Sequence, residues 1–174
     1  MSPDRPTQLI DRFDRRISYL RLSVTDRCDF RCQYCMAENM EFLHRSEVLT
    51  IEELLRTARL FTELGVRKIR VTGGEPLIRR GVHELFEGLG ALAGLDSLAL
   101  TTNGSRLTDS GHALRDAGVN SINISLDSLQ AERFKAITRI GDLNTVLRGI
   151  DRAVECGFDR IRLNAVILDG LNRD

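Results

Sequence analysis

Five short segments that alternate apolar and polar residues, each followed by a helical pattern, limit the fold of this chain more than any other feature. The candidate strands are Tyr19–Val24, Lys68–Thr72, Ser97–Thr101, Ser121–Leu126 and Arg160–Ile167. Helical periodicity fills the intervals over Thr50–Leu64, Gly81–Leu92, Thr108–Asp116, Ala131–Ile137 and Leu143–Cys156. Thr50 with Glu53 has the form of a capping box. Gly65, Gly118 and Gly157 follow helical runs at the place of a C-cap glycine. Such repetition predicts a parallel sheet with right-handed crossovers.

A parallel sheet covered on both faces reads as near-continuous apolar runs, and these strands do not. Leu20, Leu22 and Val24 interleave with Arg21 and Ser23; Ile69 and Val71 interleave with Lys68, Arg70 and Thr72. Leu98 and Leu100 face away from Ala99 and Thr101, and Ile122, Ile124 and Leu126 interleave with Asn123, Ser125 and Asp127. Ile161, Leu163 and Ala165 alternate with Arg160, Arg162 and Asn164. Helices outside and a polar interior are therefore expected, as in a βα barrel whose lumen takes a ligand. An open sheet with one wet face is the competing arrangement. Arg21, Arg70 and Arg162 recur at inward positions. A buried guanidinium needs anionic company, and a phosphate-bearing ligand would supply it through bidentate contacts.

Three of the four cysteines fall at Cys28, Cys32 and Cys35, a C-x3-C-x2-C spacing directly after the first strand. In βα barrels the loops at that end of the strands carry the chemistry. The N-terminus, "MSPDRPTQLIDRFDRR", has no apolar core of a secretory signal. A cytoplasmic location is expected, where thiols stay reduced and clustered cysteines hold metal or do redox work. Structural zinc closes with four ligands. Cys156 lies far along the chain, and His44, His83 and His112 are scattered. An iron–sulfur cluster fits three thiolates better, leaving one iron of a [4Fe-4S] cluster open to a small molecule. A zinc module with an external ligand, or a nucleotide-binding protein without catalysis, stays open on the residues alone.

Charge and composition narrow the partners. Basic and acidic residues balance at 25 each, aromatics are 5% and Trp is absent, so neither a nucleic-acid partner nor base-stacking platforms are expected. The apolar runs "LGALAGL" and "AVIL" are too short for a membrane span. The 174 residues suffice for one domain with a core. In "VTGGEP", Gly73-Gly74 lets backbone approach a ligand, Glu75 offers an acceptor to an ammonium group, and Pro76 stops the strand. The plain alternative is a βα turn.

Together these motifs resemble the radical S-adenosylmethionine (SAM) superfamily. Its hallmark is C-x3-C-x2-C after the first strand of a partial βα barrel, with an aromatic residue before the third cysteine, here Tyr34. The resemblance implies a [4Fe-4S] cluster on Cys28, Cys32 and Cys35, and SAM chelating the open iron. It implies a reducing electron donor and a 5′-deoxyadenosyl radical that abstracts hydrogen. The GGEP stretch would cradle the methionyl amino group, and "NISLD" would contact SAM, Ser125 foremost.

Within the superfamily, "LRLSVTDRCDFRCQYCM", "LGVRKIRVTGGEPLIRR", "LTTNG", "DAGVNSINISLDSL" and "LNAVIL" resemble the GTP 3′,8-cyclase family of molybdenum-cofactor biosynthesis. That family takes H3′ from GTP and joins C3′ to C8 of guanine, giving 3′,8-cyclo-7,8-dihydro-GTP. The resemblance assigns GTP contacts to Arg21, Arg70 and Thr101, and SAM contacts to Gly74, Ser125 and the backbone of Tyr34. Arg162 stands where the family carries a lysine, which keeps the charge and changes its reach. Another radical-SAM enzyme, peptide-modifying or an activase, is the neighbouring alternative.

The family continues through a sixth strand and a C-terminal region with a second cluster. Residues 1–16 are expected as an N-terminal extension and 17–174 as a core truncated before that strand. The chain is then a fragment that binds the cluster and turns GTP over slowly or not at all. Its last strand would have an open edge, and pairing of two chains into a homodimer is expected there.

Overall fold

Strands β1 (Tyr19–Ser23), β2 (Lys68–Thr72), β3 (Ser97–Thr102), β4 (Val119–Ser125) and β5 (Arg160–Asn164) form one parallel sheet in the order β1-β2-β3-β4-β5. The computed structural model describes residues 8–37 and 39–173. Five helices connect the strands: α1 (Ile51–Glu63), α2 (Val82–Gly90), α3 (Leu107–Asp116), and the pair α4 (Ala131–Thr138) and α5 (Leu143–Glu155). With parallel strands in sequential order joined by helical crossovers, the helices stack on one face of the sheet. The result is the expected partial barrel of parallel strands.

The alternation decides which side chains meet those helices. Leu22, Ile69, Val71, Leu98, Leu100, Ile122 and Ile124 are buried from the sheet side. Leu54, Leu85, Phe86, Leu89, Leu107, Leu114 and Val146 close the core from the helices. At roughly 25 cal/mol per Å² of apolar area removed from water, this layer supplies most of the driving force for folding. The Thr50–Glu53 capping box starts α1, with Glu53 N–H donating to Thr50 Oγ1 at 3.2 Å. Gly65, Gly118 and Gly157 take φ of 96°, 88° and 66°, as C-cap positions require.

Two strand boundaries differ from the sequence pattern by more than one residue. β4 begins at Val119 because that residue already pairs with Leu98, before a register shift at Leu98/Ala99. β5 ends at Asn164 rather than Ile167, because the Val166 N–H leaves the ladder to donate to Asp127 Oδ1 at 2.9 Å. Of the expected N-terminal extension, residues 1–7 lie outside the described residues. The rest folds against the end of α1: Leu9 N–H donates to Leu64 O, and Ile17 N–H to Leu9 O.

Register assigns the other face. Arg21 pairs with Arg70, Arg70 with Ala99, and Ala99 with Ser121. One step toward the carboxyl end, Thr101 pairs with Asn123 and Asn123 with Arg162. Strand side chains alternate faces, so these two rows lie opposite the helices. They end beneath the long β1–α1 connection that carries the three cysteines.

Candidate active site at the carboxyl end of the sheet

The cysteine loop is held at both ends by the rest of the fold. Cys35 and Met36 N–H groups both donate to Cys32 O, at 2.9 and 3.0 Å, so Cys32–Cys35 is a tight turn carrying two of the thiols. Phe30, between the first two cysteines, is buried edge-on against Phe134 of α4, with ring centroids 6.0 Å apart. Arg31 and Gln33 N–H groups donate to the carbonyls of Thr138 and Ile137 at the end of α4. Arg139, which ends that helix with a φ of 64°, reaches back to Arg31 O and Met36 O. A non-glycine residue in this region carries local strain, and here it places a guanidinium over the loop.

The thiols suit a cluster. Cys28 Sγ accepts from Phe30 N–H at 3.3 Å and from Asn103 Nδ2 at 3.7 Å, the donors a ligating thiolate wants. Burial pushes the Cys28 thiol up, and burial followed by the charges of Asp127, Cys28 and Cys35 pushes Cys32 up to about 11. Cationic iron, when bound, would remove that penalty by taking the thiolate directly. Among the described residues, no three Cys, His, Asp or Glu side chains gather tightly enough for a single metal ion. Three thiolates are one ligand short of a closed zinc site, whereas a cluster spreads its ligands over separate irons.

Gly73 and Gly74 have a use the sequence did not disclose. A Cβ on Gly74 would stand 2.2 Å from Arg27 O, and one on Gly73 would stand 2.5 Å from Thr25 O. The pair lets β2 lie against the backbone leading into Cys28. Gly74 N–H donates to Thr25 O at 2.7 Å and Glu75 N–H to Arg27 O at 2.8 Å. Glu75 is likewise not available to an ammonium group. Its carboxylate is fully buried and accepts from Leu77 N–H, Asn103 N–H and Thr102 Oγ1, at 3.0, 2.7 and 2.9 Å. Burial raises its carboxyl to about 7 against these three donors, which favour the ionised form.

β3 ends in the stretch that joins these parts. Asn103 Nδ2 donates to Asp29 Oδ1 at 2.7 Å, and Ser105 Oγ donates to Asp29 Oδ2 at 2.7 Å. Above β4, Tyr34 Oη donates to Asp127 Oδ2 at 2.9 Å. Burial and the facing Asp127 carboxylate push the Tyr34 phenol well above its ordinary value, so it stays a donor. Asp127 thus ties the cysteine loop to the segment after β5 and does not cap α4. Ser125, half-buried, lies at the same strand end and pairs in register with Asn164.

The proposed phosphate contacts lie below on the polar face. Arg70 is only 7% exposed, with Nε donating to Tyr19 Oη at 2.9 Å and Nη1 donating to Leu100 O and Thr101 Oγ1 at 3.2 Å each. Among the described residues these partners are all neutral, and a buried guanidinium is suited to an anionic ligand. Arg21 pairs with it in register and is exposed. Arg162 is exposed on β5, across Asn123 from Thr101. The fold therefore brings Arg70 and Thr101 into contact, sets Arg21 beside them, and leaves Arg162 two strands away from Thr101. Asn123, whose buried Oδ1 has no partner among the described residues, shares the row of Thr101 and Arg162. The alternation placed Asn123 on this face, but no motif marked it as a contact.

The remaining candidates sit elsewhere. His44 caps the short turn Arg45–Glu47, and His83 and His112 lie beside Ser110 and Arg152 on the helical layer. Cys156 is half-buried against Gly111.

Comparison with known proteins identifies the family and the fold that carry this site. The Radical SAM superfamily model matches residues 22–174. The chain belongs to the radical SAM superfamily. The superfamily's [4Fe-4S] cluster and SAM are accordingly its cofactors. It is 59% identical over 164 residues to a GTP 3′,8-cyclase of Saccharophagus degradans, covering 94% of this chain and 50% of that protein. It is 59% identical over 168 residues to GTP 3′,8-cyclase 1 of Pseudomonas aeruginosa, covering 97% and 51%. The chain thus spans about half the length of the curated relatives it matches. Among solved structures, Streptococcus suis SuiB bound to precursor peptide SuiA superposes with a TM-score of 0.71 at 18% identity, over 87% of this chain and 33% of that one. The [FeFe]-hydrogenase maturase HydG from Carboxydothermus hydrogenoformans gives 0.64 at 17% identity, over 84% and 35%. At these identities the likeness concerns the radical SAM fold alone. Among the described residues, no helix is long and apolar enough to cross a membrane.

Proposed function

We propose that this radical SAM chain carries the cofactor and phosphate side of a GTP 3′,8-cyclase. The observation that carries the reading is Arg70, a buried guanidinium with neutral partners, in the row beside Arg21 and beneath the cysteine loop. Relatives at 59% identity bear the cyclase name and support it.

In this reading Cys28, Cys32 and Cys35 hold the cluster. The cluster and SAM together supply a 5′-deoxyadenosyl radical, and the electron comes from a reducing donor. The chain's own residues bind and orient. Tyr34, latched to Asp127, presents its backbone to SAM, with Ser125 at the next strand end. The Gly74 N–H is already taken by Thr25 O, so Gly74 meets SAM through its carbonyl. Arg21 and Arg70 take the phosphates of GTP, Thr101 orients the nucleotide beside Arg70, and Arg162 closes the row from β5. We place the protein in the cytoplasm, where the thiols stay reduced. The exposed Leu163 on β5 and Ile167 just after it support pairing of two chains there.

Anaerobic reconstitution with iron and sulfide, then SAM and reductant, tests the cofactor side through release of 5′-deoxyadenosine. Equilibrium binding of GTP tests the substrate side. The expected result is GTP binding that weakens at least tenfold in Arg70→Ala, with ATP or a precursor peptide binding less well. Equal affinity of wild type and Arg70→Ala for GTP would overturn the substrate assignment.

A further inference from the structure

Asn103 occupies a position in the site that neither the cysteine spacing nor the arginine row explains. It follows β3, and its backbone N–H donates to Glu75 Oε2 at 2.7 Å, so it is anchored to the end of β2. Its side-chain amide is oriented unambiguously. Oδ1 accepts from Ser105 N–H at 2.9 Å while Nδ2 faces the Asp29 carboxylate at 2.7 Å. Exchanging the two ends would set N–H against N–H and oxygen against carboxylate. Asp29 is fixed in turn by Ser105 Oγ at 2.7 Å, with Arg106 Nε 3.8 Å away. The Nδ2 group carries two protons. One serves Asp29, and the other is directed at Cys28 Sγ, 3.7 Å away.

We propose that Asn103 is a positioning residue for the first thiolate, clamping Cys28 through Asp29 and donating a hydrogen bond to its sulfur. This rests on the reading that Cys28 is a cluster ligand. The clamp sets where the sulfur stands before iron arrives. The N–H···S contact stabilises negative charge on the sulfur and favours the reduced cluster, which raises the reduction potential. A residue with only a structural role would hold the loop without moving that potential.

Two readouts on the full chain separate these parts. In the metal-free protein, Asn103→Ala is expected to speed hydrogen exchange of the peptide carrying Cys28 to Cys35. In the reconstituted protein, at matched iron and sulfide content, the same variant is expected to lower the midpoint potential followed by electron paramagnetic resonance. The double exchange Asn103→Asp with Asp29→Asn reverses donor and acceptor. It should restore wild-type hydrogen exchange and leave the potential below wild type, because a carboxylate oxygen then stands where the Asn103 amide faced the sulfur at 3.7 Å, while the Phe30 N–H is unchanged and the amide from Asp29→Asn comes no nearer than 4.0 Å. Asn120→Ala removes an amide at the opposite end of the sheet, bonded to Ser97 and Asp96, and should move neither readout. Wild-type exchange in Asn103→Ala would overturn the clamp, and a wild-type potential would overturn the sulfur contact. A wild-type chain that takes up no cluster would sink the ligand reading, while the exchange comparison still decides the clamp.

Discussion

The helical layer and the carboxyl rim of the sheet are built by opposite means. Behind the sheet, Leu85, Phe86, Leu89, Leu107, Leu114 and Val146 are fully buried, and what holds them is apolar area, which has no preferred direction. At the rim, Glu75, Asp127, Asn103 and Asp29 are held by hydrogen bonds between loops far apart in sequence. Those bonds are directional, and a buried polar group that loses its partner bears the full cost of desolvation. An apolar layer should therefore absorb a change of shape at the cost of stability alone. The rim should lose its geometry when a single group changes.

The largest expected effect lies at the rim. Replacing Cys28, Cys32 or Cys35 by Ala should reduce bound iron and sulfide after reconstitution to background, with the circular dichroism of the fold unchanged. Phe86→Ala is the matching test of the layer. It should destabilise the chain by about 3–5 kcal/mol in urea unfolding, yet the folded fraction should still take up the cluster. If Phe86→Ala abolished cluster uptake in folded protein, the two regions would not be separable in this way.

Gly74→Ala sharpens the contrast. A single methyl group meets the Arg27 carbonyl at 2.2 Å, backbone against backbone, so the rim must shift. The expected outcome is roughly 3 kcal/mol of lost stability together with failed reconstitution. Leu89→Met, by contrast, should cost less than about 1.5 kcal/mol and spare the cluster.

Glu75 gives a pH signature. Its folded pKa, about 7, lies above the ordinary carboxylate value of 4.5, so between those values the folded chain binds more protons than the unfolded one. Stability contributed by this group should fall as pH rises through that window. The melting temperature is expected to decline from pH 5 to pH 8, and Glu75→Gln should flatten the slope. A wild-type slope in that variant would assign the pH dependence to another group. The smallest effect belongs to the layer. Thr50→Ala removes the cap of α1 and should cost about 1 kcal/mol with no change in cluster content.

The fold was largely legible in the sequence because both of its periods are local. Ile69 and Val71 point opposite to Arg70 by the geometry of a strand, and Thr50 with Glu53 starts a helix wherever that helix packs. The thiol triplet was legible for the same reason. Glu75 and Asp127 were not. An acceptor beside two glycines reads as a ligand contact, and Asp127 in "NISLD" reads as part of a SAM contact. Both carboxylates are instead taken by groups on other loops, Thr102 and Asn103 for one and Tyr34 and Val166 for the other.

By itself, then, the sequence determined which side chains share a face, where helices begin and end, and that three thiols occupy one loop. The tertiary structure decided which of those side chains touch. It set Arg70 against Thr101, gave Glu75 to Asn103, and brought Asn103 to Asp29 across 74 residues of chain. The physical reason is register. Cross-strand pairing and the bulge at Leu98/Ala99 are settled by the packing of the whole sheet, which no local period encodes.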